Sequence, residues 1–377
     1  YFQNSQIFHS KEFWESYLDN SINLEIEKAE KNARSRDNDG SLKKKFIVNA
    51  IFSKTLSISH NMCEFGVPKD LIKELIHDYC TKYELTEANE TQIVTIVDSL
   101  DYELKNDSEI YKINHNPNID IGVSDEVFML AQTALSYCEI SEGLFDISIG
   151  PLVNLWDITS GNETVPSDDE ITKAKSHIDY KNVELKVNIK NNNSIKIQEG
   201  MALDFGAVLK GYAAACCQVI AQHYNVSGWV SIGGNMYVQK KNPQTGKDFK
   251  IGIRDPFGDE SSYFASVVIP NTTMSTAGTY ERFFIKDGVR YHHILNPFTG
   301  YPAESDLCSV TIISNDGTFA DIMATTILMK GSNFVKEYAE RFGCQIIAVT
   351  NEKEVILGHE DKTISIPSYP VVSGVGA

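Results

Sequence analysis

No stretch of this chain is long and apolar enough to suggest a bilayer span: none approaches the ~18 uninterrupted apolar residues that a spanning helix needs, in a chain of 377 residues. Positive charge is also scarce. Lys and Arg total 34 against 51 Asp and Glu, a formal charge of −17. A field of that sign disfavours nonspecific attraction to nucleic acid or acidic lipid, so neither is expected as a partner. An anionic ligand would need a local cation or a helix N-terminus. Cysteine is sparse and unpatterned: Cys63, Cys80, Cys138, Cys216, Cys217, Cys308 and Cys344 are odd in number and include no C-x-x-C pair. That argues against a zinc site or a disulfide framework and points to free thiols in a reducing, cytoplasmic compartment, with an extracytoplasmic setting behind a trimmed leader left open as the alternative. The opening Tyr-Phe-Gln-Asn resembles the remnant of a cleavable tag, so the want of a leader says little. Neither G-x-x-x-x-G-K-[ST] nor G-x-G-x-x-G occurs, which excludes two common phosphate cradles. There is no internal repeat of fixed period.

What is present is an ordinary globular composition, 42% hydrophobic and 23% charged, in a chain long enough for one large domain and a further segment. Residues 1–90 read as helical and carry no evident chemistry. Phe13, Trp14, Tyr17 and Leu18 make one apolar stripe; Leu71, Ile72, Leu75, Ile76, Tyr79 and Cys80 make another, with Pro68 placed to open that helix. His77 reads as a surface histidine. The character changes near residue 91, and 91–370 reads as the main domain. "TQIVTIVDSLDYEL" and "DEVFMLAQTALSYCEIS" look helical. Ser167, followed by Asp168, Asp169 and Glu170, is an expected N-cap. "VELKVNIKNNNSIKIQ" reads as a hairpin, and "GWVSIGGNMYVQ", "KIGIRDP", "SVVIPN", "YERFFIKDGVRYHHIL", "VTIIS" and "QIIAVTN" as strands. Strands predominating in the middle, with long helices between some of them, predict an α+β fold rather than a doubly wound parallel sheet.

Three segments could carry chemistry. In "MALDFGAVLKGYAAACCQVIAQHY" a strand ending at Asp204 leads through Gly206 into a helix, and Lys210 adds a charge near its start. Such a junction suits phosphate, or is simply a joint capped by Asp204. In "NDGTFADIMATTILMKG" Asp321 and Thr325 share a helix face within an apolar segment. A hard cation with phosphate oxygens in its shell would satisfy them. So would a Thr325 bond back to the Asp321 carbonyl, with Asp321 as a cap. In "GVRYHHILNPFTGYPAES" His292 and His293 are adjacent on an expected strand, so they face opposite sides and do different jobs. A base near neutral pH would most naturally be a histidine.

Taken together, "LDFGAVLKGYA", "SIGGN", "STAGTYERFF", "YHHILNPFTGYP" and "ADIMATTILMKG" resemble, in order and spacing, the ApbE family of FAD:protein FMN transferases. "ISEGLFDISIGPLVNLW" and "NDSEIYKIN" are similar to further family segments, and the likeness covers roughly residues 92–360. The resemblance implies a T-fold-like domain of mixed and antiparallel sheets packed with helices. It implies Mg²⁺ and FAD, with FMN passed to a Thr or Ser hydroxyl of a target flavoprotein and AMP released. It implies Asp321, Thr325 and the main-chain oxygen of Ala207 as metal ligands and His293 as base, with His292 its structural neighbour. Phe145, Asp146, Asp204, Lys210, Gly234, Thr276 and Ile294 fall where the family lines its flavin and nucleotide site. The chain departs from the pattern at Asn296, where the family has Asp, at Ala277, where it has Ser, and at "LDYEL", where its first strand is expected. An FAD pyrophosphatase and a flavin-binding protein without turnover remain open alternatives.

Overall fold

The structure is a computed structural model that describes residues 69–83, 108–161, 163–187, 193–223, 225–243, 245–259 and 262–372, with residues 11, 15, 18, 62, 67 and 94. The expected stripe at Phe13, Trp14 and Tyr17, the Pro68 helix opening and the "LDYEL" segment lie outside the described residues. The helices are α1 (Lys69–Lys82), α2 (Glu109–His115), α3 (Asp125–Ile140), α4 (Gly150–Trp156), α5 (Asp168–Lys175), α6 (Leu209–His223), α7 (Gly317–Lys330) and α8 (Phe334–Phe342). The strands are β1 (Ile121–Gly122), β2 (Glu184–Lys186), β3 (Ser194–Lys196), β4 (Gly228–Ile232), β5 (Asn235–Gln239), β6 (Phe249–Arg254) and β7 (Tyr263–Ile269). They continue with β8 (Thr272–Gly278), β9 (Phe283–Lys286), β10 (Val289–His292), β11 (Leu307–Ser314), β12 (Gln345–Thr350), β13 (Val355–Leu357) and β14 (Ile364–Ser365). This is an α+β fold, as the alternation of short strands with intervening helices predicts.

The local signals act where they were expected. In α1 Ile72, Leu75, Ile76, Tyr79 and Cys80 are buried and His77 is exposed. Ser167 caps α5 in a reciprocal capping box with Glu170. The β9–β10 hairpin turns on Asp287 and Gly288, both at positive φ.

A six-stranded sheet of order β13-β12-β11-β8-β5-β4, antiparallel at every join, is the centre of the molecule. One face packs on the small sheet β14-β7-β6 through Met274, Val238, Phe264, Val267 and Ile347. The other carries α7, whose Met323, Ala324 and Ile327 meet Val310 and Ile312 of β11. Helix α7 is buried at almost every position because it is also covered by the layer around α3, in which Ile322 packs. Asp316 caps it, accepting from the Phe319 N–H at 3.0 Å, and Gly331 ends it at φ 97°.

Helices α6 and α7 cross almost backbone to backbone. A Cβ on Gly211 would lie 2.2 Å from the Gly317 carbonyl oxygen and 2.5 Å from Asp321 Cβ; one on Gly317 would lie 2.6 Å from the Gly211 carbonyl oxygen. Gly211→Ala is therefore expected to force the helices apart, at or beyond the upper end of the ~1–3 kcal/mol typical of overpacking. Thermal unfolding measures the loss. A variant as stable as the parent would mean that the crossing is looser than described.

Candidate active site

The residue that organises the site is a glycine. Gly211 is the third residue of α6, so its N–H is one of the donors that a helix N-terminus leaves without an intrahelical partner. It donates to Asp321 Oδ2, at 2.8 Å. The next N–H, of Tyr212, opens the ladder with a 2.9 Å bond to the Val208 carbonyl. Among the described residues no backbone N–H donates to the Ala207 carbonyl. The close approach of two glycines thus lets a carboxylate oxygen reach an open donor at the start of α6, one turn after the Ala207 carbonyl.

Asp321 is 5% exposed, and burial pushes its carboxyl above the usual range. The Lys210 ammonium and the Gly211 N–H act the other way. Thr325, one turn on, is half-buried, and its hydroxyl donates to the Asp321 carbonyl at 3.4 Å, the back-bond weighed above. Asp316, not Asp321, is the helix cap. A carboxylate oxygen, a hydroxyl and a carbonyl are all hard donors, and they fit a small oxygen-seeking cation. Among the described residues no group of three or more His, Cys, Asp or Glu side chains could hold a metal. A cation here would have one carboxylate and would depend on its anionic ligand for the rest of its shell.

The approach to α6 is a loop, not the expected strand. Its hydrogen bonds go sideways: the Asn114 side chain brackets Leu203 at 2.7 and 2.9 Å, and the Asp204 N–H donates to the Ile147 carbonyl at 2.8 Å. Asp204 Oδ1 accepts from the Gly206 N–H at 2.8 Å, and Lys210 Nζ donates to the Gly206 carbonyl at 3.0 Å. Burial raises the Asp204 pKa. The Asp204–Ile147 bond draws Phe145 and Asp146 alongside. Phe145 is buried; Asp146 accepts from Ser148 N–H and Oγ at 2.7 Å each and from the Tyr180 N–H at 3.1 Å. Gly234 with Gly233 forms the two-residue turn between β4 and β5, both at positive φ.

The two histidines divide as the sequence suggests, although β10 ends at His292 and His293 is the first residue beyond it. Both ring nitrogens of His292 are engaged: Nε2 donates to the Ala303 carbonyl at 3.1 Å and Nδ1 accepts from the Ile294 N–H at 3.3 Å. His292 ties β10 to the following turn, and burial pushes its pKa down to about 4. His293 Nδ1 lies 3.2 Å from the Arg282 carbonyl, which makes Nδ1 the protonated nitrogen and leaves the Nε2 lone pair able to accept. Burial first, then the charges of Lys210 and Arg282, push its pKa down to about 3. Lys210 therefore acts on Asp204, Asp321 and His293 together. Ile294 is buried behind the histidines.

Thr276 stands apart. Its Oγ1 meets Thr311 Oγ1 at 2.9 Å, and neighbouring Ala277 packs with the α7 cluster. Alternation along β8 therefore turns Thr276 to the opposite sheet face from Asp321. Asn296 takes the place of an aspartate without loss of the turn: its Oδ1 accepts from the N–H groups of Phe298 at 2.8 Å and Thr299 at 3.3 Å. An amide oxygen serves as well as a carboxylate for that task. Asn296→Asp is expected to change thermal stability by less than ~0.5 kcal/mol, whereas Asn296→Ala should cost ~1 kcal/mol; a large loss in the aspartate variant would show a further role for the amide.

Sequence reasoning did not find Gly211, Gly317 or Asn114, whose roles depend on what they approach across the chain.

The ApbE family model matches residues 74–349, and the chain belongs to that family. The chain is 34% identical over 257 residues to an FAD:protein FMN transferase of Klebsiella pneumoniae, covering 67% of this chain and 78% of that one. It is 33% identical over 240 residues to an FAD:protein FMN transferase of Treponema pallidum, covering 60% of this chain and 66% of the length of that one. The crystal structure of the ApbE protein of Thermotoga maritima superposes with a TM-score of 0.63 at 33% identity, over 73% of this chain and 90% of that one. The flavin transferase ApbE of Vibrio cholerae, at 23% identity and a TM-score of 0.61, shares the fold.

Proposed function

We propose that this protein transfers FMN from FAD to a Thr or Ser hydroxyl of a target flavoprotein, releasing AMP, with Mg²⁺ at Asp321, Thr325 and the Ala207 carbonyl. The observation that carries this reading is the Gly211 N–H bond to Asp321, which holds a buried carboxylate at the start of α6, one turn after an Ala207 carbonyl to which no backbone N–H of the described residues donates. The names of the relatives support the same chemistry. Bound there, the cation would neutralise phosphate charge and favour AMP as leaving group.

The chain's own groups do the rest. Lys210 and the start of α6 offset the charge of the diphosphate in an acidic protein. His293 Nε2 accepts the proton of the incoming hydroxyl as its oxygen bonds to the FMN phosphorus and the bond from that phosphorus to the AMP oxygen breaks. Holding the partners in line, more than covalent catalysis, supplies the rate. The loop of Phe145 and Asp146 and the Gly233–Gly234 turn would border the flavin nucleotide. The free thiols of Cys138, Cys216, Cys217, Cys308 and Cys344 support a cytoplasmic setting.

Incubation with FAD, Mg²⁺ and an acceptor flavoprotein tests the reading by mass spectrometry. The expected result is a mass gain of one FMN on the acceptor, abolished by EDTA and restored by Mg²⁺. Free FMN and AMP without adduct would make water the acceptor, and intact FAD would overturn the reading.

A further inference from the structure

Beside Asp321 the central sheet carries buried polar side chains that make no hydrogen bond of good geometry. Asn235 is 0% exposed, and neither its Oδ1 nor its Nδ2 has a hydrogen-bond partner. Ser275 is equally buried, and its Oγ is also without one. The two are neighbours. Strand β5 pairs with β8 in a register that sets Tyr237 opposite Thr273 and Met236 opposite Met274. One further step in that register sets Asn235 opposite Ser275, with both side chains on the same face.

That face is the one covered by the helices. Met274 and Met236 pack into the core between the two sheets, so the residues next to them point the other way. Ile312, which pairs with Ser275 across β11, packs in the α7 cluster. Gly317, one turn before Asp321, rests 3.4 Å from Thr273 Cγ2 by its Cβ position, and Thr273 is two residues along β8 from Ser275. The Asn235 amide is near enough to Asp321 to favour its charged form, though not in hydrogen-bond geometry with it.

Such an arrangement is costly. Each buried polar group left unbonded costs ~1–3 kcal/mol, and folded proteins keep few of them. Apolar residues of similar size would fill the same space. Asn235 lies beside Asp321 and Ser275 beside Asn235, so a ligand held by Asp321 is the nearest source of partners for both. An amide oxygen and a hydroxyl are hard donors suited to a divalent cation or to the water and phosphate oxygens around it.

We propose that Asn235 and Ser275 form the polar floor of the cation–diphosphate site, holding the oxygen shell of a divalent cation from below while Asp321, Thr325 and Ala207 hold it from the helices. The assignment rests on the cation site proposed above.

The test reads binding, not turnover. Mn²⁺ is titrated with ADP present as a flavin-free diphosphate, and free Mn²⁺ is followed by electron paramagnetic resonance. Thermal unfolding is recorded without metal. Asn235→Leu and Ser275→Ala are expected to weaken Mn²⁺ binding ~10–100-fold while melting at or above the parent temperature. Asn235→Asp is expected to bind Mn²⁺ at least as tightly as the parent and to melt lower without metal, because it places a second carboxylate beside Asp321. Asp321→Ala separates the two readings. If it loses Mn²⁺ while Asn235→Leu and Ser275→Ala bind normally, the polar floor is wrong and the cation site stands. If Asp321→Ala also binds normally, the cation site itself is wrong.

Discussion

Asp321→Asn is expected to melt at a higher temperature than the parent in the absence of metal and to lose FMN transfer by at least ~10³-fold. Both halves follow from the same burial. The Asp321 carboxylate is held out of water with one N–H donor and a lysine nearby, and its pKa is raised because burial outweighs them. A charge kept in that state strains the fold. An asparagine at 321 keeps an oxygen for the Gly211 N–H, fits the same volume and removes the charge. The gain in stability is the cost the carboxylate imposes on the unliganded protein. The loss of activity has the opposite origin: the only carboxylate of the proposed cation site is gone. A 10³-fold fall corresponds to ~4 kcal/mol of transition-state stabilisation at 1.36 kcal/mol per decade. Differential scanning calorimetry with EDTA and transfer measured by acceptor mass check the two together. A variant that melts lower would mean that Asp321 is a structural carboxylate, and one that still transfers FMN would remove it from the site.

What could be read in advance was what neighbours along the chain decide. The capping box at Ser167 and Glu170 depends on residues three apart, and the Asp287–Gly288 turn on two. The pairing of Asp321 with Thr325 was legible because one carboxylate in an apolar helix needs an explanation. Strand β8 carries no local strand signal. Its sequence, "TTMSTAG", has hydroxyls on both faces and no clear alternation, yet it lies between β11 and β5. Segment "MALDF" shows the reverse: Met201, Leu203 and Phe205 are buried in alternation like a strand, but the backbone bonds to the Asn114 side chain and to the Ile147 loop rather than to a ladder. The bond from Gly211 to Asp321 depends on Gly211 meeting Gly317, more than a hundred residues away, and the orphaned Asn235 and Ser275 depend on strand register. No local pattern encodes either.

His293→Ala is expected to slow transfer ~10²–10⁴-fold, the usual contribution of a positioned base, while FAD affinity stays within a few-fold of the parent. The pH dependence distinguishes this from a structural role. An unfolded histidine takes a proton near pH 6.5, but burial and the charges of Lys210 and Arg282 hold His293 neutral down to about pH 3. The base is thus already neutral well below pH 6.5, and kcat/KM is expected to show no acid limb near 6.5. Stability should carry the other side of the same linkage. Between about pH 6.5 and 3 the unfolded chain binds a proton that the folded chain refuses, so this histidine costs stability as the pH falls and costs none above 6.5. His292, pushed down to about 4, acts in the same sense. The parent should therefore lose melting temperature on acidification more steeply than His293→Ala. Lys210→Met, which removes one of the repelling charges, should raise the His293 pKa measured by NMR. An acid limb near 6.5 in the parent, or full transfer by His293→Ala, would take the proton transfer away from His293 and give it to solvent or to the acceptor protein.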